Sequence, residues 1–144
     1  MKTSSSFLQY RNREDICKDT DIIALEIYRQ LERFLLFNIY NEKQLDENSG
    51  TQRNSRTTLS RAILELEIDL SFVLIGDYNL HHIQWNILAR NLSKEAEELV
   101  DWLDKNNCQL LNSDKQEGTF YRSNLRGKSI IDLAFYSGNF QENT

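Results

Sequence analysis

Apolar residues along this chain come in short bursts, and several of them alternate with polar positions at a period of two. Residues 21–28 (Asp-Ile-Ile-Ala-Leu-Glu-Ile-Tyr) place Ile23, Leu25 and Ile27 on one face, which predicts a strand. Residues 33–40 (Arg-Phe-Leu-Leu-Phe-Asn-Ile-Tyr) repeat the pattern after a polar turn at 29–32, so the two strands are expected to pair as an antiparallel hairpin. Residues 41–56 hold almost nothing apolar and read as a long exposed loop. Leu59, Ile63 and Leu66 then recur at helical spacing, with Thr57 or Thr58 in place to cap a helix over 57–67. Residues 72–75 (Phe-Val-Leu-Ile) are a buried strand, and 81–92 are irregular.

The clearest helix starts after Ser93. Glu95, Glu97 and Glu98 sit at the positive end of its dipole, and Ala96, Leu99, Val100 and Leu103 form its apolar stripe. Asn106-Asn107 can stop it in the left-handed conformation. Short strands follow at 108–112 and 119–122, separated by turns at 113–118 and 123–128. Residues 129–136 close the pattern, with Ile131, Leu133 and Phe135 facing one way and Ile130, Asp132 and Ala134 the other. Strands joined partly by helices and partly by hairpins predict an α/β (α+β) class, with mixed sheets flanked by helices. Residues 21–137 form the domain, after a loose polar lead-in at 1–20 and before a tail at 138–144.

Composition narrows this only a little. A chain of 144 residues is one domain or part of one, and 40% hydrophobic with 27% charged residues suits a packed core. The net charge of -5 argues against broad electrostatic adhesion to nucleic acid, while leaving room for a local basic rim. Cys17 and Cys108 are too few for a disulfide framework and are expected to be free thiols. No apolar run approaches the roughly 20 residues that span a bilayer, and the start of the chain has no signal-peptide core. No membrane partner is expected, and the expected location is intracellular, nuclear or cytoplasmic.

Candidate chemistry gathers on Gly76-Asp77-Tyr78-Asn79 and on Asp132, polar groups that a core-building sequence does not choose. Asp77, at the carboxyl end of a buried strand, can position or deprotonate a water. Asn79, two residues on, can donate its amide to a phosphate oxygen, and Asp132 can orient a histidine. The plain alternative is that Gly76-Asp77 opens a tight turn which Asn79 caps. Tyr40 and Asn41 end a strand that can reach the same edge, although a tyrosine there is commonly just a half-buried aromatic. Adjacent His81 and His82 cannot share one metal from a regular helix or strand, and a structural role for at least one is the better reading. Arg53, Arg56 and Arg61, and separately Arg122, Arg126 and Lys128, are possible phosphate contacts, with a solvated surface as the simpler account.

Taken in order, these pieces resemble a known family. Arg33-Phe34-Leu35-Leu36-Phe37-Asn38-Ile39-Tyr40-Asn41 precedes Val73-Leu74-Ile75-Gly76-Asp77-Tyr78-Asn79-Leu80-His81-His82 and Trp85. Leu99-Val100-Asp101-Trp102-Leu103, Leu110-Leu111-Asn112, Gly118-Thr119-Phe120 and Ser129-Ile130-Ile131-Asp132-Leu133-Ala134-Phe135 then follow. The set resembles the endonuclease/exonuclease/phosphatase superfamily, and within it the apurinic-type endonuclease domain of fungal non-LTR (LINE-like) retrotransposons. The resemblance implies a four-layer α/β-sandwich of two mixed sheets, here partial. It also implies hydrolysis of a DNA phosphodiester with Mg²⁺ or Mn²⁺, nicking a target strand beside a reverse transcriptase domain.

By that resemblance Asp77 aligns or activates the attacking water and is a possible metal ligand. Asn79 and Tyr40 contact the scissile phosphate, Asn41 and Thr119 belong to the phosphate-binding rim, and Asp132 orients the catalytic histidine. The family's opening strand with its Gln-Glu metal ligand is not recognisable ahead of Glu26, and its closing Ser-Asp-His run does not occur in the sequence. The expectation is therefore a domain truncated at both ends and inactive as it stands, with possible self-association through exposed sheet edges. The alternatives are a non-catalytic nucleic-acid or protein binding module and a non-functional relic of a mobile element.

Overall fold

The computed structural model describes residues 8–41, 57–86, 93–111 and 132–138, together with the backbone of 120–121 and 128–129. Its strands are β1 (Gln9–Asn12), β2 (Ile22–Arg29), β3 (Glu32–Tyr40), β4 (Phe72–Asp77), β5 (Cys108–Leu110), β6 (Phe120–Tyr121), β7 (Lys128–Ser129) and β8 (Asp132–Ser137). One α-helix, α1 (Lys94–Lys105), is preceded in the chain by a π-helical turn at Leu59–Ile63. The main sheet has six strands in the order β1-β2-β3-β4-β8-β5, and β6 pairs with β7 as a separate two-stranded ribbon. Among the described residues only β3 and β4 pair in parallel within this sheet; β1–β2, β2–β3, β4–β8 and β5–β8 are antiparallel. This mixed sheet with helices is the α/β class read from the sequence. The second large sheet of a four-layer sandwich is not among the elements of the described residues.

The register divides the sheet into two faces, because paired residues share a face. Ile22, Ala24, Leu35, Phe37, Ile39, Phe72, Leu74, Leu133 and Phe135 lie on one, and all are buried. That face is covered by Leu99, Trp102 and Leu103 of α1, by Leu59 and Ile63 of the π turn, and by Trp85. Trp102 packs on Phe72 with ring centroids 5.8 Å apart. Helix α1 begins as its sequence dictates, with Ser93 Oγ accepting the Ala96 N–H at 3.1 Å, and it ends with Asn107 at φ 53°. The opposite face carries Leu25, Phe34, Leu36, Val73, Ile75 and Ala134, all half-buried, and Ile23, which is 53% exposed.

Two expectations need correcting. Residues 1–20 are not a loose lead-in throughout, since Gln9–Asn12 form an edge strand on β2. Its four side chains are all exposed, so it leaves no alternation to read. Charge secures it: the fully buried Glu26 accepts from Arg11 at 2.7 Å and Arg13 at 2.6 Å, with the Arg33 guanidinium 3.4 Å away. Burial pushes the Glu26 carboxyl up, but the bonds from Arg11 and Arg13 outweigh it and hold the group at about 2. The helix expected over 57–67 is also shorter and wider than its spacing implies. Leu64 N–H bonds Leu59 O five residues back, and Thr57 Oγ1 accepts the Ser60 N–H in place of a cap at Thr58. Arg61 pins this turn to Asp19 and Asp21 with bonds of 2.7–3.0 Å.

Gly76 sets how closely β3 and β4 can approach. Its φ is 141°, and a Cβ built there would lie 1.9 Å from the Ile39 carbonyl oxygen. That separation is far inside van der Waals contact and the obstacle is backbone, so no side chain can swing aside. Gly76→Ala is expected to cost at least about 3 kcal/mol in urea denaturation. A loss under about 1 kcal/mol would show that the two strands do not close here.

Candidate functional site at three strand ends

Three of the residues singled out from sequence meet in one row. Tyr40 ends β3, Asp77 ends β4, and Asp132 begins β8; Tyr40 pairs with Asp77, and Asp77 pairs with Asp132. The strands deliver them side by side on the half-exposed face, each roughly 5 Å from the next across the sheet. Tyr40 is 54% exposed and Asp132 is exposed, while Asp77 is half-buried. Two hollows of about 400 and 430 Å³ lie elsewhere, and neither is lined by Tyr40, Asp77 or Asp132.

The turn after Asp77 is fixed by short-range bonds. Asn79 has φ 47°, and its N–H donates to Asp77 Oδ1 at 3.0 Å. Its side-chain Nδ2 donates to the Asn41 carbonyl at 2.6 Å. One amide hydrogen of Asn79 therefore holds the turn against the end of β3. Tyr78 points into the core, wholly buried, with its ring edge-on to Phe135 at 5.5 Å. Among the described residues its hydroxyl has no hydrogen-bond partner.

Asn41 lies beneath the rim instead of on it. The residue is 2% exposed, its N–H donates to Asp77 O at 2.8 Å, and its Oδ1 accepts the Leu59 N–H at 3.3 Å. Its Nδ2 donates to Tyr78 O at 2.8 Å and to Glu95 Oε1 at 3.3 Å. The same Glu95 oxygen accepts a short bond from the Thr57 hydroxyl. Sequence reading placed Glu95 only as a favourable charge at a helix start. Glu95 and Asn41 are 54 residues apart in the chain, so no local spacing reveals their contact.

The remaining candidates separate cleanly. His82 is buried, its Nδ1 accepts the Gln84 N–H at 3.1 Å, and its ring lies against Trp85 at 5.1 Å, so it serves the turn. His81 is exposed beside it. Arg61 is engaged by Asp19, Asp21 and Thr58, which removes it from the phosphate-contact candidates. Thr119, Arg53, Arg56, Arg122 and Arg126 lie outside the described residues, as does the side chain of Lys128. Cys17 and Cys108 are free, as expected.

Asp77 and Asp132 set two carboxylates in adjacent strand positions. At about 5 Å, like charges repel by roughly 1 kcal/mol in bulk water and roughly 3 kcal/mol at a surface dielectric of about 20. Burial pushes the Asp77 carboxyl up from its ordinary value and the Asp132 charge adds to the rise, while the Asn79 N–H opposes it. A cation or a donor-bearing ligand would relieve that repulsion. Among the described residues no group of three or more His, Cys, Asp or Glu side chains could hold a metal by itself. Hard divalent cations such as Mg²⁺ are commonly held by one or two carboxylates, with water and substrate phosphate completing the shell, and Asp77 with Asp132 fits that donor chemistry.

The fold places the chain in a class. A solved structure described as the endonuclease domain of TRAS1, a telomere-specific non-LTR retrotransposon, matches with a TM-score of 0.64 at 17% identity. The match covers 94% of this chain and 58% of that one, so the architecture is that of an endonuclease domain over little more than half its length. The chain belongs to the endonuclease-reverse transcriptase family, whose model matches residues 34–144. No curated protein matches it.

If Asp132 raises Asp77, removing that charge must lower it. Carbon-13 NMR is expected to show Asp77 titrating above an ordinary aspartate, and Asp132→Asn should bring its midpoint down. An unchanged midpoint would mean that the two carboxyls do not face one another.

Proposed function

We propose that this chain carries the phosphate-facing half of a divalent-metal-dependent DNA endonuclease that nicks a target strand. The observation that supports this best is the Tyr40–Asp77–Asp132 row on one face of the sheet, in a chain of the endonuclease-reverse transcriptase family. In this reading Tyr40 and the second amide hydrogen of Asn79 hold phosphate oxygens. Asp77 aligns the attacking water and, with Asp132 beside it, would hold the cation. A bound divalent cation neutralises charge on the phosphate and lowers the pKa of bound water. Asn41 contributes by fixing the turn that carries Asp77 and Asn79.

The chain's two histidines are His81 and His82, and the turn geometry of His82 leaves it poorly suited to act as general base. Asp132 is the residue that would orient the base, which in the resembling family comes from a Ser-Asp-His run. Loss of a general acid or base typically lowers rate by about 10²–10⁴-fold, so this chain is proposed to bind DNA and cleave it little or not at all. In a complete element its partner would be a reverse transcriptase domain.

A supercoiled plasmid tests both parts. With Mg²⁺ or Mn²⁺ the expected result is saturable, salt-sensitive binding that Asp77→Ala alters, with no conversion to open circles. Metal-dependent nicking abolished by Asp77→Ala would overturn the expected inactivity. Absence of both binding and nicking would sink the proposal and favour a relic.

A further inference from the structure

We infer that Glu95 is a positioning residue for the Asp77–Asn79 turn, acting through Asn41 from the first turn of α1. The inference rests on the reading of that turn as the phosphate- and cation-facing element.

The bonds form one continuous path. The Thr57 hydroxyl and Asn41 Nδ2 both donate to Glu95 Oε1. Asn41 Nδ2 also donates to the Tyr78 carbonyl at 2.8 Å. That carbonyl belongs to the same rigid peptide plane as the Asn79 N–H, which donates to Asp77 Oδ1 at 3.0 Å. Asn41 thus holds one end of the plane and the Asp77 carboxylate takes the other.

What decides the path is the direction of the Asn41 amide. A carboxamide presents donors on one side and an acceptor on the other, and either orientation has the same shape. Glu95 Oε1 and the Tyr78 carbonyl both accept, so together they draw Nδ2 to their side. The carboxamide oxygen is left facing the Leu59 N–H at 3.3 Å, an amide at the start of the π turn. With the amide reversed, two acceptors would face one another at Tyr78 and two donors at Leu59. Asn41 is 2% exposed, so water has little access to mend either clash. Thr57, also buried, donates to the same Glu95 oxygen.

Hydrogen exchange followed by NMR tests this without DNA or metal. Glu95→Ala is expected to raise exchange of the Asn79 amide about tenfold, with amides of β2 and β3 unchanged. Glu95→Gln retains an acceptor and should restore most of the protection, and Thr57→Val should give a smaller rise. Uniform loss of protection across the sheet would make Glu95 a general helix anchor and overturn the inference, as would an Asn79 amide indifferent to Glu95→Ala. If Glu95→Ala does not fold, Thr57→Val decides: an unmoved Asn79 amide contradicts the positioning role. Failure of wild-type DNA binding is a separate outcome that removes the nuclease reading and leaves the exchange result intact.

Discussion

Everything at the candidate site depends on how tightly β3 and β4 close. The two strands pair in parallel, and their last rungs set Ile39 against Gly76 and Tyr40 against Asp77. Parallel strands have no hairpin to fix their register, so the end of the pairing must be specified by side chains and backbone fit. Gly76 permits the approach because a Cβ would run into Ile39 O. Asn41 then secures it, with its own N–H on Asp77 O and its carboxamide on Tyr78 O. A slip of one residue would turn Asp77 into the packed face and Gly76 out of it.

The two faces of the sheet divide the labour. One is closed by α1, the π turn and Trp85, and supplies most of the buried apolar surface. The other carries the polar row at its edge above half-buried aliphatic residues. Placing Asp132 beside Asp77 works against the ionised form of Asp77. Such costs concentrate at functional sites, where a ligand of opposite character offsets them. Arg13 and Arg61, by contrast, are tied into structural ion pairs with Glu26, Asp15, Asp19 and Asp21.

Much of this was legible in the residues. The helix after Ser93, its stripe and its Asn107 stop follow from capping and spacing alone, and the hairpin of β2 and β3 from alternation and a short turn. The candidate pair Asp77 and Asn79 was visible as polarity placed after an apolar strand. Four things were not. β1 has no apolar alternation because an edge strand held by arginines needs none. The helix-covered face of β2 is Ile22, Ala24 and Glu26, not Ile23 and Leu25, because a buried glutamate with arginine partners disguises a core position as polar. The alignment of Tyr40, Asp77 and Asp132 depends on register across three strands, and the tie from Glu95 to Asn41 on tertiary contact.

The central claim is that these three strand ends form one cation- and phosphate-attracting row. Titration with Mn²⁺ followed by paramagnetic broadening of amide NMR signals tests it most directly, since no turnover is required. Broadening should centre on Tyr40, Asp77, Asn79 and Asp132 and disappear there in Asp77→Asn. Broadening centred elsewhere, such as on Glu67 and Asp69, with the three strand ends unaffected, would contradict the account.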